Sequence, residues 1–333
     1  MPKNNNPFII AELGARYSNI NRILKLIKDC KKIGADAVKF QTYRASNLAD
    51  KNSKLPLKKK ISQFEFFKKH QLSDSDHQKI VKVCKSLDIK WFSTPANFSD
   101  VDYLEKLQPW AYKIGSDDLT NIPLIQYIAK KKKRIFISTG MSTMKEISEA
   151  IKSIEKFHKK IVIFHCTTDY PTRLDDSNLN LIKTLRKKFN YEIGLSDHTD
   201  SDLTSIIATS MGVKFIEKHI MPNENKEWQD KEVSLDLKTF KEMVIKVKSL
   251  KKVYGSKKKK IFDCEKKWRK IGKKSLYAVK DIKKGERLNH SNVIIRRPSG
   301  QSEPKELIVF INKKLKVNLK AGQNLKKSHF ELD

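Results

Sequence analysis

The feature that most constrains the fold is a regular alternation of short apolar runs, rich in β-branched residues, with longer segments of helical periodicity. In the helical segments, such as 21–32, 76–87, 144–157 and 236–252, apolar residues recur every three or four positions. The eight apolar runs are 8–13, 37–41, 89–94, 111–116, 134–140, 161–167, 192–196 and 214–219. Eight β/α units within about 250 residues are typical of a TIM (β/α)8 barrel. We therefore predict an α/β protein built on such a barrel.

The chain is long and strongly basic, with 333 residues and a net charge of +32. Its lysines are spread over predicted helix faces, the long loop 51–60, the run 130–134 and the segment 251–260. Such charge attracts nucleic acids and acidic membranes, but no zinc-finger spacing, aromatic RNA-binding motif or heptad basic region focuses it. We expect a solvated lysine-rich surface and no nucleic-acid partner; a non-catalytic barrel that binds a polyanion is the minor alternative.

The cysteines and the N-terminus bear on the compartment. The four cysteines lie far apart and form no CxxC pair, so neither a disulfide framework nor a cysteine metal site is indicated. The apolar run near the N-terminus is short and contains Glu12, which is too little for a signal peptide or a membrane span. We expect a cytoplasmic protein with reduced thiols and no membrane partner.

Two histidines lie at the ends of neighbouring predicted strands: His198 ends strand seven and His219 ends strand eight. In a TIM barrel, reacting groups collect at this face, and adjacent strands lie roughly 5 Å apart. Both imidazoles can therefore reach one point above the barrel mouth, which indicates a divalent metal site. His165, taken alone, is interpreted as a structural residue.

Two lysines, Lys39 and Lys113, lie within predicted apolar strands. A buried lysine is costly unless an anion compensates it, and two lysines beside several hydroxyls predict a pocket for a phosphate or a carboxylate. The alternative is that each lysine pairs with a nearby carboxylate, Glu12 or Asp118. The other polar residues at the strand ends include Gln41, Ser93, Thr94, Ser116, Ser138, Thr139, Thr167 and Thr168.

Several motifs follow one another in a fixed order along the barrel: FIIAELG, GADAVKFQT, WFSTPA, YKIGSDDLTNIPLI, ISTGMS, FHCTTDYPT, IGLSDHT and IEKHI. These motifs, in this order, resemble those of the N-acetylneuraminate (sialic acid) synthase family. The C-terminal stretch SLYAVKDIKKGERLNHSNVIIRRPSG resembles the family's small β-rich antifreeze-like (SAF) domain. The resemblance implies a barrel domain at 1–252, a basic linker at 253–273 and an SAF domain at 274–333.

The same resemblance implies a reaction and a set of site residues. The reaction is the condensation of phosphoenolpyruvate with an open-chain N-acetylated hexosamine such as N-acetylmannosamine, with release of phosphate. Mn2+ or Mg2+ would be held by His198 and His219, while Glu12 takes the place of a catalytic carboxylate. Residues similar to the family's phosphoenolpyruvate site are Lys39, Lys113, Thr94, Ser116, Ser138 and Ser196. Residues similar to its sugar site are Gln41, Tyr170 and Asp230, with Asp118 where many members have glutamate.

The family also implies a homodimer in which the SAF domains are swapped. The segment 294–300 contains Arg297, which would cap the partner's barrel and contact the sugar. The basic stretch 251–274, if extended at over 3 Å per residue, is long enough to reach a neighbouring subunit.

Departures from the family pattern leave the sugar open. After Gly14, the segment 15–19 replaces the usual G-x-N-H-N-G loop and contains Arg16 and Tyr17. Thr168 replaces a common asparagine or serine, and RRPSG replaces the usual RPGxG. The alternative function is therefore that of a pseudaminate or legionaminate synthase, which uses a di-N-acetylated deoxyhexose.

Overall fold

The computed structural model describes residues 6–14, 19–55, 58–223 and 231–331, and for residues 55 and 58–61 it describes the backbone alone. The chain divides into two compact units, Met1–Gly255 and Ser256–Asp333. Among the described residues, no helix has both the length and the apolar character needed to cross a membrane.

The first unit is a closed parallel barrel, as predicted. Its strands are β1 Phe8–Glu12, β2 Ala37–Thr42, β3 Lys90–Pro95, β4 Ala111–Ile114, β5 Arg134–Ser138, β6 Ile161–Cys166, β7 Glu192–Asp197 and β8 Phe215–Met221. They pair in chain order, and β8 pairs in parallel with β1 to close the ring. The two-residue strand Leu235–Asp236 pairs in parallel with the last part of β8, at Ile220 and Met221. The TIM-barrel prediction is thus confirmed, with strand boundaries that differ by one or two residues.

Helices surround the barrel. They are α1 Ile20–Ile33, α2 Ala45–Leu48, α3 Gln63–His70, α4 Asp74–Ser86, α5 Phe98–Leu107, α6 Ile122–Lys130, α7 Met144–Glu155, α8 Leu181–Phe189, α9 Leu203–Ser210 and α10 Leu237–Tyr254. Each long helix buries one apolar stripe, as Ile23, Leu26, Ile27 and Cys30 do on α1. These stripes and the outward residues of the strands form the main hydrophobic core.

The barrel interior is apolar at one end and polar at the other. A separate apolar cluster fills the interior and consists of Ile10, Ala37, Phe92, Ala111, Phe136, Val162, Phe164 and Phe215. Strand side chains alternate between two faces, so the residue two positions after each member of this cluster also points into the interior. The residues at these positions include Glu12, Lys39, Thr94, Lys113, Ser138, Cys166 and Glu217. The apolar layer therefore seals one end of the barrel and supports a polar layer at the carboxyl ends of the strands.

The segment between β2 and α4 contains more structure than the predicted loop 51–60. Helices α2 and α3 flank an antiparallel hairpin formed by Lys54–Leu55 and Lys58–Ser62. Both ends of the segment are pinned: the Ala45 N–H donates to Gln71 Oε1 (2.9 Å), and Arg44 donates to the Leu72 carbonyl (2.9 Å). The prediction of a plain loop was wrong because short, lysine-rich strands lack the apolar alternation that marks a strand.

The second unit has its own small core. Strands β9 Ser275–Ala278 and β10 Val293–Arg296 pair antiparallel, and α12 spans Leu307–Phe310. Buried residues such as Leu276, Leu288, Leu315 and Phe330 form its centre.

The predicted basic linker is only partly extended. Helix α10 continues to Tyr254, and a ten-residue helix α11 spans Asp263–Gly272. A helix rises about 1.5 Å per residue, less than half the rise of an extended chain. The reach expected of a fully extended 251–274 stretch was therefore overestimated, because the acidic first turn and basic last turn of α11 stabilise a helix there.

Candidate active site

A cavity of about 300 Å3 opens at the carboxyl ends of the barrel strands. It is lined by most of the residues that the sequence singled out: Lys39, Gln41, Thr94, Lys113, Ser116, Asp118, Ser138, Tyr170, Ser196, His198 and His219. Two other predicted residues are not among these lining residues. Glu12 lies fully buried beside Lys39, and Arg297 is an exposed residue of the second unit. Asp230 falls outside the described residues, as do Arg16 and Tyr17.

A buried ion network forms the floor of the cavity. Lys39 Nζ lies 3.1 Å from Glu12 Oε2 and 3.6 Å from Glu217 Oε1. Lys113 Nζ donates to both oxygens of Glu217, at 2.8 and 2.9 Å. The alternative in which each lysine pairs with a carboxylate is therefore realised, but the partner of Lys113 is Glu217 and not Asp118.

The two lysines are compensated unequally, and their pKa values differ in direction. Burial would lower the pKa of Lys39, but Glu12 and Glu217 together raise it above its ordinary value. Burial lowers the pKa of Lys113, and repulsion by Lys39 lowers it further. The single carboxylate Glu217 raises it but does not offset the two lowering effects. An anion bound in the cavity would supply Lys113 with the second negative charge that Lys39 already has. Burial would likewise raise the pKa of Glu217, but Lys113 and Lys39 hold it far below its usual range.

Glu217 is the residue that sequence reasoning missed. It is 3% exposed and also accepts a hydrogen bond from Ser196 Oγ (2.8 Å). The available signal was its position two residues before His219 in β8, which places both side chains on the interior face. A carboxylate at an interior position of a barrel that holds two buried lysines is the expected counter-ion.

The two histidines converge as predicted. Their ring centroids lie 5.3 Å apart, and the ring of Tyr170 packs 4.4 Å from that of His198. His198 Nδ1 lies 2.9 Å from the Thr167 carbonyl, which makes Nδ1 the protonated nitrogen and leaves Nε2 as the lone-pair nitrogen. His165 instead bonds the Ser177 carbonyl through Nε2 (2.7 Å) and does not line this cavity, in keeping with a structural role.

A second buried ion pair fixes the backbone beside these histidines. Asp197 and Lys218 each precede one histidine, and they meet at 3.1 Å on the outward face of β7 and β8. Asp197 also accepts hydrogen bonds from Thr204 Oγ1 and Ser205 Oγ, both at 2.7 Å. Because these contacts tie the strand ends to α9, the two imidazoles are held on rigid elements.

Several hydroxyls converge on one side of the cavity. The Gly140 N–H donates to Ser116 Oγ (3.1 Å), and a Cβ atom at Gly140 would lie 2.1 Å from Thr168 Oγ1. Only glycine allows these groups to approach so closely. Within the described residues, Thr94 Oγ1 and Thr168 Oγ1 are buried without a hydrogen-bond partner, so they are available to a ligand.

Cys166 is a second cavity residue that sequence reasoning did not assign. Its Sγ lies 3.9 Å from His198 Nδ1 and 3.7 Å from Ser116 Oγ. Burial would raise the pKa of this thiol, but the hydrogen bond with His198 and the nearby charge of Lys113 lower it to about 7.

The predicted sugar-side residues lie nearer the mouth. Gln41 Nε2 donates to Glu12 Oε1 (3.3 Å), and Tyr170 is 49% exposed at the rim. Asp118 accepts a hydrogen bond from Asn121 Nδ2 (2.9 Å), and burial raises the pKa of Asp118.

The donor set fits a divalent metal with open coordination positions. His198 offers Nε2 while its Nδ1 is fixed by a backbone carbonyl, the arrangement usual for metal-bound histidines. The described residues contain no cluster of three or more metal-binding side chains, so water or substrate would have to complete such a site.

Comparison with known proteins identifies the family. The NeuB family model matches residues 26–259, and the SAF domain model matches residues 273–331. This chain belongs to the NeuB family. Its membership confirms both the resemblance and the prediction of an enzyme, because this is a family of phosphoenolpyruvate-using synthases of nonulosonic acids.

Individual relatives agree with this assignment. The chain is 36% identical to a pseudaminic acid synthase of Campylobacter jejuni, over 97% of this chain and 96% of the relative. It is 33% identical to an N,N'-diacetyllegionaminic acid synthase of Legionella pneumophila, over 97% and 94%. Among solved structures, the N-acetylneuraminic acid (sialic acid) synthetase of Leptospira borgpetersenii is similar, with a TM-score of 0.70, 26% identity, and coverage of 80% of this chain and 91% of that one.

Proposed function

We propose that this NeuB-family enzyme condenses phosphoenolpyruvate with an open-chain N-acetylated amino sugar to give a nonulosonic acid and phosphate. The observation that supports this most is the cavity floor, where Lys39 and Lys113 share the buried carboxylate Glu217 below two converging histidines. A floor of this kind binds a small dianion at a fixed depth.

Phosphoenolpyruvate binds at this floor in our account. An ammonium group has three donors, and Lys113 uses two of them on Glu217, which leaves one for the substrate. The phosphate and carboxylate oxygens of phosphoenolpyruvate contact the two lysines and a ring of hydroxyls. Those hydroxyls belong to Thr94, Ser116, Ser138, Thr168 and Ser196.

Carbon–carbon bond formation then takes place above the floor. The enol carbon attacks the sugar aldehyde, the aldehyde oxygen takes a proton, and positive charge develops at the former enol carbon. Water adds to that carbon, and the tetrahedral adduct expels phosphate by breaking the carbon–oxygen bond. A divalent ion, Mn2+ or Mg2+ in our proposal, would be held by His198 and His219 and would supply Lewis-acid polarisation of the aldehyde oxygen.

Glu12 is the carboxylate that we assign to the attack of water. It is fully buried and contacts both Lys39 and Gln41, two residues that line the cavity. We propose that it orients the water or accepts its proton.

Two kinds of sugar are compatible with this account, N-acetylmannosamine and a di-N-acetylated deoxyhexose. The relatives that share 33% and 36% identity are named as legionaminic and pseudaminic acid synthases, whereas the named sialic acid synthetase shares 26%. These identities support the di-N-acetylated deoxyhexose as strongly as N-acetylmannosamine.

The proposed function is tested by phosphate release. Purified enzyme with Mn2+ and phosphoenolpyruvate is incubated with N-acetylmannosamine or with the di-N-acetylated deoxyhexoses that give legionaminic and pseudaminic acid. We expect phosphate release only when a sugar is present, together with a product whose mass equals sugar plus pyruvate. Release that is the same without any sugar would contradict the proposal.

We further propose that the enzyme works as a homodimer in which Arg297 of one chain completes the sugar site of the partner. Arginine suits this role because its planar fork grips oxygen atoms without losing charge. The exposure of Arg297 leaves its guanidinium free for such a contact.

Mixing two inactive variants tests this arrangement. Arg297→Ala and His219→Ala chains are each expected to be nearly inactive, yet co-refolded mixtures should recover part of the wild-type rate. Each mixed dimer would contain one intact site, made of the Arg297→Ala barrel and the other chain's arginine. No recovery, with heterodimers demonstrated, would show that the arginine acts in its own chain or not at all.

A further inference from the structure

One side of the cavity is apolar, in contrast to its charged floor. Tyr43, Leu48 and Phe67 line this side, and we call them the apolar wall. The rings of Tyr43 and Phe67 meet edge to face, with centroids 5.3 Å apart. Tyr43 is 4% exposed, and the other two side chains are half-buried, so a ligand that touched them would remove carbon surface from water.

The apolar wall lies towards the mouth of the cavity. Lys39, Gln41 and Tyr43 alternate along β2 and the residue beyond it, so all three point the same way. At roughly 3.3 Å per residue, Tyr43 lies about 13 Å further along the strand direction than Lys39. The wall therefore faces whatever extends outward from the floor.

Leu48 and Phe67 are brought there by the segment inserted between β2 and α4. Leu48 is the last residue of α2, and Phe67 is in α3. The hydrogen bonds from Ala45 to Gln71 and from Arg44 to Leu72 close the two ends of this segment on each other. The apolar wall is thus a fixed part of the cavity.

From this arrangement we infer that the apolar wall determines sugar specificity by binding a methyl group at C6. The inference rests on the proposed function. With phosphoenolpyruvate at the floor, the sugar aldehyde must meet it there, so the opposite end of the open chain points towards the mouth. Leu48 and Phe67 offer only carbon atoms, so a C6 hydroxymethyl group would press its hydroxyl against them, whereas the C6 methyl of a deoxyhexose matches them.

The test compares matched sugars that differ only at C6. One pair is N-acetylmannosamine and its 6-deoxy analogue. The other two pairs are di-N-acetylated hexoses with and without the C6 hydroxyl. One of these pairs has the stereochemistry that gives legionaminic acid, and the other has the stereochemistry that gives pseudaminic acid. For every pair that is turned over, the wild-type enzyme should have a kcat/KM about tenfold higher for the 6-deoxy sugar, the range expected for one apolar group in a pocket.

Variants of Leu48 locate the preference. Leu48→Asn keeps the size of the side chain and adds a polar amide, so the 6-deoxy preference should fall about tenfold, to near unity. Leu48→Met keeps an apolar side chain of similar volume and should retain the preference. Leu203→Asn is the matched control, because Leu203 is 45% exposed and does not line this cavity; it should leave the preference unchanged.

The possible failures are distinguishable. No sugar-dependent phosphate release with any sugar would overturn the proposed function and this inference with it. Turnover without a 6-deoxy preference, or a preference that survives in folded Leu48→Asn enzyme, would overturn the inference alone.

Discussion

Replacing Glu217 by glutamine should lower kcat/KM by about 100-fold and destabilise the barrel by about 3 kcal/mol. The neutral amide leaves Lys113 buried without its counter-ion and removes one of the two carboxylates beside Lys39. Removing one partner of a buried ion pair costs about 3–5 kcal/mol. The rate falls because the lysines move apart, and a displacement of about 1 Å at a reacting site costs about 100-fold. Steady-state kinetics and urea unfolding measure the two effects.

Two further variants show whether the effect comes from the buried ion pair itself or from the loss of any carboxylate. Glu192→Gln removes a half-exposed carboxylate that pairs with Arg134 at 3.4 Å, and it should cost under about 1 kcal/mol with normal activity. The double variant Glu217→Gln/Lys113→Met removes both partners and should regain most of the lost stability while staying inactive. Near-normal kinetics in Glu217→Gln would show that the floor network is dispensable.

The same network predicts a pH dependence of stability. The pKa of Glu217 is lowered on folding by Lys113 and Lys39 despite its burial. A carboxyl whose pKa is depressed in the folded state contributes stability above its unfolded pKa, near 4.3, and that contribution is lost as the pH falls below it. The stability lost by wild-type enzyme on acidification should therefore be reduced in Glu217→Gln.

Removal of the proposed divalent ion should abolish activity. Polarisation of the aldehyde oxygen is worth several kcal/mol, so chelation by EDTA should reduce phosphate release by about 1000-fold or more, and Mn2+ should restore it. His198→Ala and His219→Ala should fold normally, lose activity, and lose Mn2+ binding measured by calorimetry.

His165→Asn is the matched control for these variants. It replaces a buried histidine of the neighbouring strand β6 whose partner is the Ser177 carbonyl. We expect lower thermal stability but unchanged Mn2+ affinity. Full activity after exhaustive chelation, or equal Mn2+ binding by His219→Ala, would contradict a metal site at these histidines.

The barrel and much of the cavity were predictable because the relevant signals are local. Each of the eight strands is marked in the sequence by an apolar run rich in β-branched residues. The parallel strands of a barrel bring their carboxyl ends to one face. The sequence alone predicts that His198, His219, Lys39 and Lys113 lie together, and all four line one cavity in the structure.

What was missed depends on pairing between distant positions. Lys113 and Glu217 are 104 residues apart, and only closure of the barrel through β1 and β8 brings their two side chains together. The apolar wall depends in the same way on how α2 and α3 fold back over β2. By contrast, helix α11 had a local signal, because Asp263 and Glu265 open it and Arg269 and Lys270 close it.

The fate of the bridging oxygen of phosphoenolpyruvate shows which bond the enzyme breaks to release phosphate. The enzyme is incubated with its sugar and phosphoenolpyruvate labelled with 18O at the oxygen between carbon and phosphorus, and the phosphate and the sugar acid are analysed by mass spectrometry. Because the tetrahedral adduct expels phosphate by carbon–oxygen cleavage, the label should appear in the phosphate, and the new keto acid should carry none of it. Label retained in the organic product would mean phosphorus–oxygen cleavage and would contradict a nonulosonate synthase reaction in this cavity.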